Sequence, residues 1–206
     1  IMSILAKIGI KNVDSNLATA LRTIVVLIFA WIMVFIVGSQ NTIVDIDIKS
    51  CIFLILSGLA TGGSWLCYFK ALQIGDINKV VPIDKSSIIL TMILSFIILG
   101  EDVNILKIIS MIFIGLGTYL MIERKESTKE ENKYKSIIYA FMSAFFASLT
   151  SILGKIGIVN VESNLGTAIR TVIVLLMAWI IVFMQHKHKE ITKIDKKSWI
   201  YICLSG

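Results

Sequence analysis

The sequence predicts an all-α integral membrane protein, a polytopic helical bundle built from inverted five-helix repeats. Three observations carry this prediction. Apolar runs of about 20 residues, the length that a helix needs to cross a bilayer, recur along the chain. A segment near the start repeats 148 residues later, with 32 of 56 residues identical. The matched loops of the two copies differ sharply in lysine content, as they would if the copies faced opposite sides of the membrane.

The composition separates this chain from soluble proteins. Of its 206 residues, 56% are hydrophobic and 17% are charged, whereas soluble domains average about 25% charged residues. A membrane β-barrel would alternate polar and apolar residues at every second position, and these long apolar runs do not. The basic residues behind the net charge of +6 mostly flank the apolar runs. We therefore expect a lipid bilayer as a partner and no nucleic acid.

Eight helical segments are predicted in chain order. Asn16 is expected to cap the second segment by accepting hydrogen bonds from free backbone N–H groups. Pro82 is expected in the first turn of the fourth segment, where its missing N–H costs little. The stretch ERKESTKEENKYK (123–135) has nine charged residues in thirteen and is predicted to be a solvated connector. The eight segments are 1–10, 17–38, 51–73, 80–99, 104–122, 136–158, 165–184 and 198–206.

The internal repeat defines the domain organisation. Residues 3–58 match residues 151–206 without a gap, with 32 identities in 56 pairs. The matches include NLATALRT with NLGTAIRT and AWIMVF with AWIIVF. We therefore divide the chain into a first repeat (1–122), a charged linker (123–135) and a second repeat (136–206). We expect the front of the first helix and the last helices of the second repeat to be missing from this chain.

The number of helices and the loop charges give the orientation. Five helices per copy is an odd number, so the second copy must enter the membrane from the opposite side, as in many secondary transporters. Lysine and arginine accumulate in cytoplasmic loops. The loop VGSQNTIVDIDIKS of the first copy has one lysine, and its counterpart QHKHKEITKIDKKS has five. We expect a multi-pass protein of the plasma membrane, with 123–135 and 186–197 in the cytoplasm and 39–50 outside.

Residues 57–102 carry a family resemblance. The run SGLATGGSWLCYFKALQIG, the segment VVPIDK and the LGE that ends a helix resemble the EamA domain of the drug/metabolite transporter superfamily. The segments NLATALRT and KIGIKNV resemble the first half of that domain. The resemblance implies a five-helix single domain or a ten-helix tandem pair, most of which export small metabolites or drugs. This chain resembles a duplicated single-domain form.

Ionisable residues inside spans are candidates for function because they are costly to bury. Asp84 and Lys85 lie a few residues into the 80–99 segment, and Asp84 begins a polar stripe of Ser87, Thr91 and Ser95 at helical spacing. Such a stripe could line a polar path, or it could form hydrogen bonds between helices while Lys85 reaches the headgroups. A second stripe of Ser57, Thr61, Ser64 and Tyr68 runs beside Trp65. We expect Trp65 and Tyr68 near the substrate.

Arg22 and Arg170 occupy equivalent positions of the two copies, about two turns into their helices. They could bind an anionic group of a substrate, or reach the headgroups instead. Gly58 and Gly62 form a GxxxG pattern, for which we expect close packing against another helix. Cys51, Cys67 and Cys203 form no CxxC motif, and the isolated pair His186 and His188 is weak evidence for a metal. No metal or other cofactor is therefore expected.

Two functions remain open on the sequence. The first is a secondary transporter, an exporter of a small metabolite or drug-like solute that works by alternating access and can be coupled to protons. The alternative is a non-transporting membrane scaffold or subunit. An enzyme is not expected, because the spans contain no histidine, no Ser–His–Asp set and no phosphate-binding glycine loop. A small-molecule substrate is the expected partner, with a homo-oligomer or antiparallel pairing of the repeats as the expected assembly.

Overall fold

A computed structural model describes residues 2–11, 13–102, 104–121, 130–159 and 161–205, with no β-strand among them. The described residues form nine α-helices and two 3-10 helices. The α-helices are α1 Met2–Gly9, α2 Ser15–Val37, α3 Ile48–Ile74, α4 Ile77–Lys85, α5 Ser87–Ile98, α6 Ile105–Met121, α7 Glu130–Gly157, α8 Ser163–Met184 and α9 Lys196–Leu204. The 3-10 helices, Ser39–Asp45 and Lys187–Lys193, each follow the long second helix of a copy.

Five apolar segments of the described chain are long enough to cross a bilayer. They are Ser15–Val37, Ile48–Ile74, Ile77–Ile98, Tyr134–Gly157 and Ser163–Met184. The helix Ile105–Met121 is apolar but shorter. Large apolar side chains such as Phe35 and Ile36 of α2 and Phe113 of α6 are more than 60% exposed, which is favourable in lipid and costly in water. The fold class predicted from the sequence, an all-α polytopic membrane protein, is confirmed.

The helix ends differ from the predicted ones in ways that local chemistry explains. Asp14, not Asn16, caps α2, because its carboxylate accepts hydrogen bonds from the N–H groups of Asn16 and Leu17. Asp76 caps α4 in the same way, so this helix begins at Ile77 and Pro82 lies inside it rather than in its first turn. The predicted single helix 80–99 is broken at Ser86 into α4 and α5. Proline disturbs the turn that precedes it, because it lacks the N–H that would bond to the carbonyl four residues earlier, so Pro82 does not explain the irregular turn at Ser86.

The predicted linker lies partly outside the described residues. Residues 122–129 belong to the part that the structure leaves undescribed. Helix α7 begins at Glu130, six residues before the predicted start at 136. The last part of the charged stretch 123–135 therefore continues as the first turns of α7, and the apolar part of this helix begins at Tyr134.

The two copies share their element boundaries as well as their sequence. Helices α2 and α8 begin at Ser15 and Ser163, and α3 and α9 begin at Ile48 and Lys196. Both pairs of starts are 148 residues apart, and the two 3-10 helices have the same offset at both of their ends. Equivalent acids cap equivalent helices, since Asp47 accepts from the Ser50 N–H and Asp195 from the Ser198 N–H. The repeat is therefore a repeat of local structure.

Helices α2 and α8 pack against each other in opposite directions. Near the start of α2 the amide of Asn16 donates to Oε1 of Gln185, just after the end of α8, over 2.7 Å. Near the end of α2, Val34 packs in one cluster with Leu165 from the start of α8. Because these two helices are equivalent members of the copies, the copies run in opposite directions.

Two apolar clusters lie at the two ends of this helix pair. Every member of the smaller cluster has its counterpart, 148 residues away, in the larger cluster. The smaller cluster contains Ala30, Trp31, Val34, Ile46, Leu54, Ile158, Val161, Leu165, Ala168 and Ile169. A pseudo-two-fold axis between the copies produces this pattern, because it places equivalent residues of the two copies in equivalent surroundings.

Candidate functional site

A cavity of about 250 Å³ opens between helices of both copies. Five of the six residues predicted for a substrate or proton path line it, namely Arg22, Trp65, Tyr68, Asp84 and Lys85. They come from α2, α3 and α4, while α1, α5, α7 and the residue after α9 supply the rest of the lining. At 1.5 Å per residue, Asp84 lies about 10 Å along the span that begins at Ile77. The cavity thus lies within the membrane-spanning part of the bundle.

Asp84 is held in place from the second copy. The hydroxyl of Ser143 on α7 donates a hydrogen bond of 2.7 Å to Oδ1 of Asp84. Nζ of Lys85 lies 3.7 Å from the other carboxylate oxygen, but its side chain is 64% exposed while that of Asp84 is 14% exposed. The break at Ser86 follows directly. The Asp84 carboxylate therefore lies at the end of α4, and its hydrogen bond from Ser143 joins this helix end to α7.

The polar stripe of α3 explains how Ser143 is positioned. Ser64 donates to the backbone oxygen of Ser143 over 3.1 Å, and their hydroxyls are 3.3 Å apart. One and two turns earlier, Thr61 lies 3.3 Å from the hydroxyl of Thr150, and Ser57 donates to the backbone oxygen of Thr150. These groups of α3 thus form hydrogen bonds to α7. They leave Ser64 at the edge of the cavity.

Sequence reasoning missed Ser143, although a signal for it was present. Helix α7 carries small residues at steps of three and four along one face, which lets the backbone of α3 come close. Ser143 is fully buried in the middle of this face. The face consists of Ser136, Ala140, Ser143, Ala147, Thr150, Gly154 and Gly157.

Arg22 lies against an aromatic wall. Its guanidinium carbon is 4.7 Å from the centre of the Trp65 ring and 5.4 Å from that of Phe69, within the range of cation–π attraction. Its Nε donates to the backbone oxygen of Ser205 over 2.7 Å. Tyr68, which also lines the cavity, donates its hydroxyl proton to Ser3 over 2.9 Å. Aromatic rings and backbone contacts thus fix the orientation of this arginine.

Arg170, the counterpart of Arg22, is not brought to the cavity. Its Nη1 donates to the hydroxyl of Ser57 over 3.3 Å, whereas Arg22 uses Nε to reach the backbone oxygen of the equivalent residue, Ser205. A side chain added at Gly154 would meet the guanidinium, so Arg170 packs directly against the backbone of α7. The structure therefore places Arg22 but not Arg170 at the cavity, although the sequence made the two arginines equal candidates.

Gly58 and Gly62 face α8. A Cβ atom at Gly58 would lie 2.8 Å from Cβ of Ile173, and one at Gly62 would lie 2.7 Å from Cε of Met177. At Gly58 the backbone oxygen of Arg170 would also lie 3.0 Å from the added Cβ, so α8 approaches α3 there at a distance that requires glycine, whereas at Gly62 the flexible end of Met177 can move aside. No group of three His, Cys, Asp or Glu side chains that could hold a metal ion occurs in the described part of the chain.

Comparison with known proteins places this geometry in context. Residues 1–123 match the EamA-like transporter family. A Sinorhizobium protein described as an uncharacterized transporter in the cobO 3′ region is 39% identical over 119 residues, which make up 58% of this chain and 84% of that protein. No solved structure matches the chain. The residues matched to the family include Arg22, Trp65, Tyr68 and Asp84 of the cavity.

Proposed function

The chain belongs to the EamA-like transporter family, and from this premise we propose that it exports a small solute across the cytoplasmic membrane by alternating access. The observation that carries the proposal is the cavity shared by the two copies. It combines one carboxylate, one guanidinium, one ammonium group and three aromatic side chains inside the spanning part of the bundle. Seven of the twelve lining residues are serine or charged, so the lining is more polar than that of most small-molecule sites, which combine apolar walls with a few placed polar groups.

The opposite direction of the two copies supports alternating access. Two equivalent units related by a pseudo-two-fold axis can exchange their conformations, which moves the opening of a central site from one side of the membrane to the other. Here α4 contacts α7 through Asp84 and Ser143, so the first copy holds the second at the cavity itself. The break at Ser86 gives α5 a point about which it can move relative to α4.

Coupling to protons would use Asp84. A carboxyl group that faces each side of the membrane in turn can take up a proton on one side and release it on the other. We therefore predict that Asp84→Asn, which keeps the shape and removes the titration, abolishes transport driven by a pH gradient. Everted vesicles containing the wild-type chain would first be screened with a panel of labelled metabolites, amines and organic acids. The solute that accumulates would then be followed in the variant.

Lys85→Met is the matched control for this experiment. The Lys85 side chain is mostly exposed and contacts Asp84 only at 3.7 Å, so its replacement should retain most of the transport. Retention of the wild-type rate and pH dependence in the Asp84→Asn variant would contradict the role of Asp84. If the wild-type chain moved no solute of the panel, the scaffold alternative would be favoured instead. Membrane content and thermal unfolding of each variant would be measured alongside.

A further inference from the structure

We propose that the cavity binds small organic anions, with Arg22 as the residue that holds the anionic group. The inference rests on the proposed transport function, because it names the substrate class of the same site. The charged side chains of the lining are Arg22, Asp84 and Lys85. Because Lys85 is mostly exposed and Asp84 accepts a hydrogen bond from Ser143, Arg22 is the charged group that a ligand inside the cavity would meet, and a positive charge favours an anion over a cation.

The carboxylate of the cavity, that of Asp84, already has partners. Asp84 accepts from Ser143 at one oxygen and lies near Lys85 at the other. Arg22, by contrast, has no carboxylate partner among the residues that the structure describes. Its one hydrogen bond within them, from Nε to the Ser205 oxygen, goes to a neutral backbone group. A guanidinium inside a membrane span without a counter-charge is costly, and an anionic ligand would supply that charge.

The contacts of Arg22 with the described residues leave the two terminal nitrogens of its guanidinium available to a ligand. An arginine carries five N–H donors, one on Nε and four on the two terminal nitrogens. Nε is engaged with Ser205, and one face of the group stacks on Trp65. The terminal nitrogens make no hydrogen bond to the described residues. A pair of parallel N–H donors fits the two oxygens of a carboxylate.

The cavity is large enough for a compact ligand. A volume of about 250 Å³ lies below the range of roughly 300–1,000 Å³ for drug-sized ligands. It would hold about eight water volumes at roughly 30 Å³ each, so a ligand of about ten non-hydrogen atoms fits. The rings of Trp65 and Tyr68 line the same space. We therefore infer a compact organic anion, with an apolar body against the rings and its carboxylate at Arg22.

Three probes of nearly the same shape can test the charge selectivity. Benzoate is an anion, benzamide is neutral and benzylamine is a cation. Binding would be measured by isothermal titration calorimetry on the purified full chain in detergent. We expect benzoate to bind with a Kd at least tenfold lower than that of benzamide, and benzylamine to bind more weakly still. Equal affinity for the three probes, or no binding of benzoate, would overturn the proposal.

The repeat supplies a matched control. Arg22→Gln should weaken benzoate binding by about 10- to 100-fold, the loss typical for a hydrogen bond to a charged group. Arg22→Lys should fall between the wild type and the Gln variant, since lysine keeps the charge without the paired donors. Arg170→Gln removes the same group at the equivalent position outside the cavity and should leave the Kd within twofold. Equal losses in the Arg22→Gln and Arg170→Gln variants would show a structural effect and refute the assignment.

This experiment separates the ligand class from the transport activity. Binding at equilibrium needs no transport, so a chain that binds benzoate through Arg22 but moves no solute in vesicles would contradict the proposed function alone. A chain that transports a neutral or cationic solute and does not bind benzoate would contradict the anion site alone. Should Arg22→Gln fail to fold, the Arg22→Lys variant and the three probes on the wild type still decide the question.

Discussion

The two 3-10 segments show how one backbone can serve both sides of a membrane. Each follows a residue in the left-handed conformation, Gly38 with φ of 76° and His186 with φ of 55°. Two residues after the end of each lies an aspartate, Asp47 or Asp195, that caps the next helix over 3.2 Å. Their charges differ, because residues 37–50 contain one lysine and two aspartates, whereas residues 185–198 contain five lysines, one glutamate and one aspartate. The flanking helices thus determine the loop backbone, and the charge is free to select the side of the membrane.

The residue before each 3-10 segment gives further evidence that the flanking helices determine the loop backbone. Glycine adopts the left-handed conformation at no steric cost, but other residues are disfavoured there by about 1–2 kcal/mol. The second copy nevertheless places His186 at this position. Packing of the flanking helices must outweigh the cost, since the matched apolar clusters at both ends hold α2 and α8 in equivalent places.

The largest expected effect is on the sidedness of these two loops. Asn41 and Lys189 are equivalent, exposed positions, and we would replace each by cysteine in a chain whose native cysteines are changed to alanine. A membrane-impermeant thiol reagent applied to intact cells should label Asn41→Cys and leave Lys189→Cys unlabelled. We expect this because lysine-rich loops are favoured on the cytoplasmic side and the antiparallel copies would then place residues 37–50 on the opposite side.

Everted vesicles supply the control for the labelling. There the pattern should be reversed, with Lys189→Cys labelled and Asn41→Cys protected. Labelling of both positions from one side would contradict the opposite direction of the two copies.

An effect on stability is expected at the equivalent glycines Gly9 and Gly157. A Cβ atom at Gly9 would lie 3.1 Å from the backbone nitrogen of Ile202, and one at Gly157 would lie 3.1 Å from that of Leu54. Ile202 and Leu54 are themselves equivalent, so Gly9→Val and Gly157→Val should destabilise the chain by similar amounts, about 1–3 kcal/mol each. Unfolding in mixed detergent micelles, followed by tryptophan fluorescence, would measure this.

Gly117 on α6 is the control, because nothing lies within 4 Å of an added Cβ. Gly117→Val should change stability by about 0.5 kcal/mol or less. A loss at only one of the two equivalent glycines would show that the copies do not pack symmetrically.

The smallest expected effect is a difference in pH dependence between the equivalent lysines Lys7 and Lys155. Lys7 donates to the backbone oxygens of Leu72 and Gly75 at the end of α3. Lys155 instead pairs with Glu101 in the loop after α5, and hydrogen bonds from Lys155 and Lys107 hold the pKa of that carboxyl below its usual range. A carboxyl whose pKa is lowered by folding stabilises the protein above its ordinary pKa of about 4.3, and the contribution is lost as the pH falls below that value.

Lys155→Met should therefore reduce the loss of stability on acidification below about pH 4.3, whereas Lys7→Met should leave that dependence unchanged. Thermal unfolding in detergent at several pH values and low salt would measure the difference. An unchanged acid dependence in the Lys155→Met variant would mean that this exposed pair contributes nothing to stability, as many surface ion pairs do.

Much of the candidate site followed from single residues in the sequence. Asp84 and Arg22 stood out because ionisable groups inside spans are rare, and Tyr68 and Trp65 because one belongs to the polar stripe of its helix and the other lies beside it. The structure places these four side chains on one cavity. The partners that hold them could not be predicted, since Ser143 is 59 residues from Asp84 and Ser205 is 183 residues from Arg22. Such contacts depend on which helices become neighbours, and periodicity along one helix carries no information about that.

The sequence by itself determined the membrane class, the spans, the equivalence of the two copies and the opposite charge of their loops. Each of these depends on local composition, because a span needs only enough apolar residues and a loop only its lysines. The tertiary structure alone decided that Arg22 lines the cavity while Arg170 packs against α7, and that Asp84 is tied to Ser143. The two arginines have nearly identical sequence surroundings, so only their neighbours in space, Trp65 for one and Gly154 for the other, make them different.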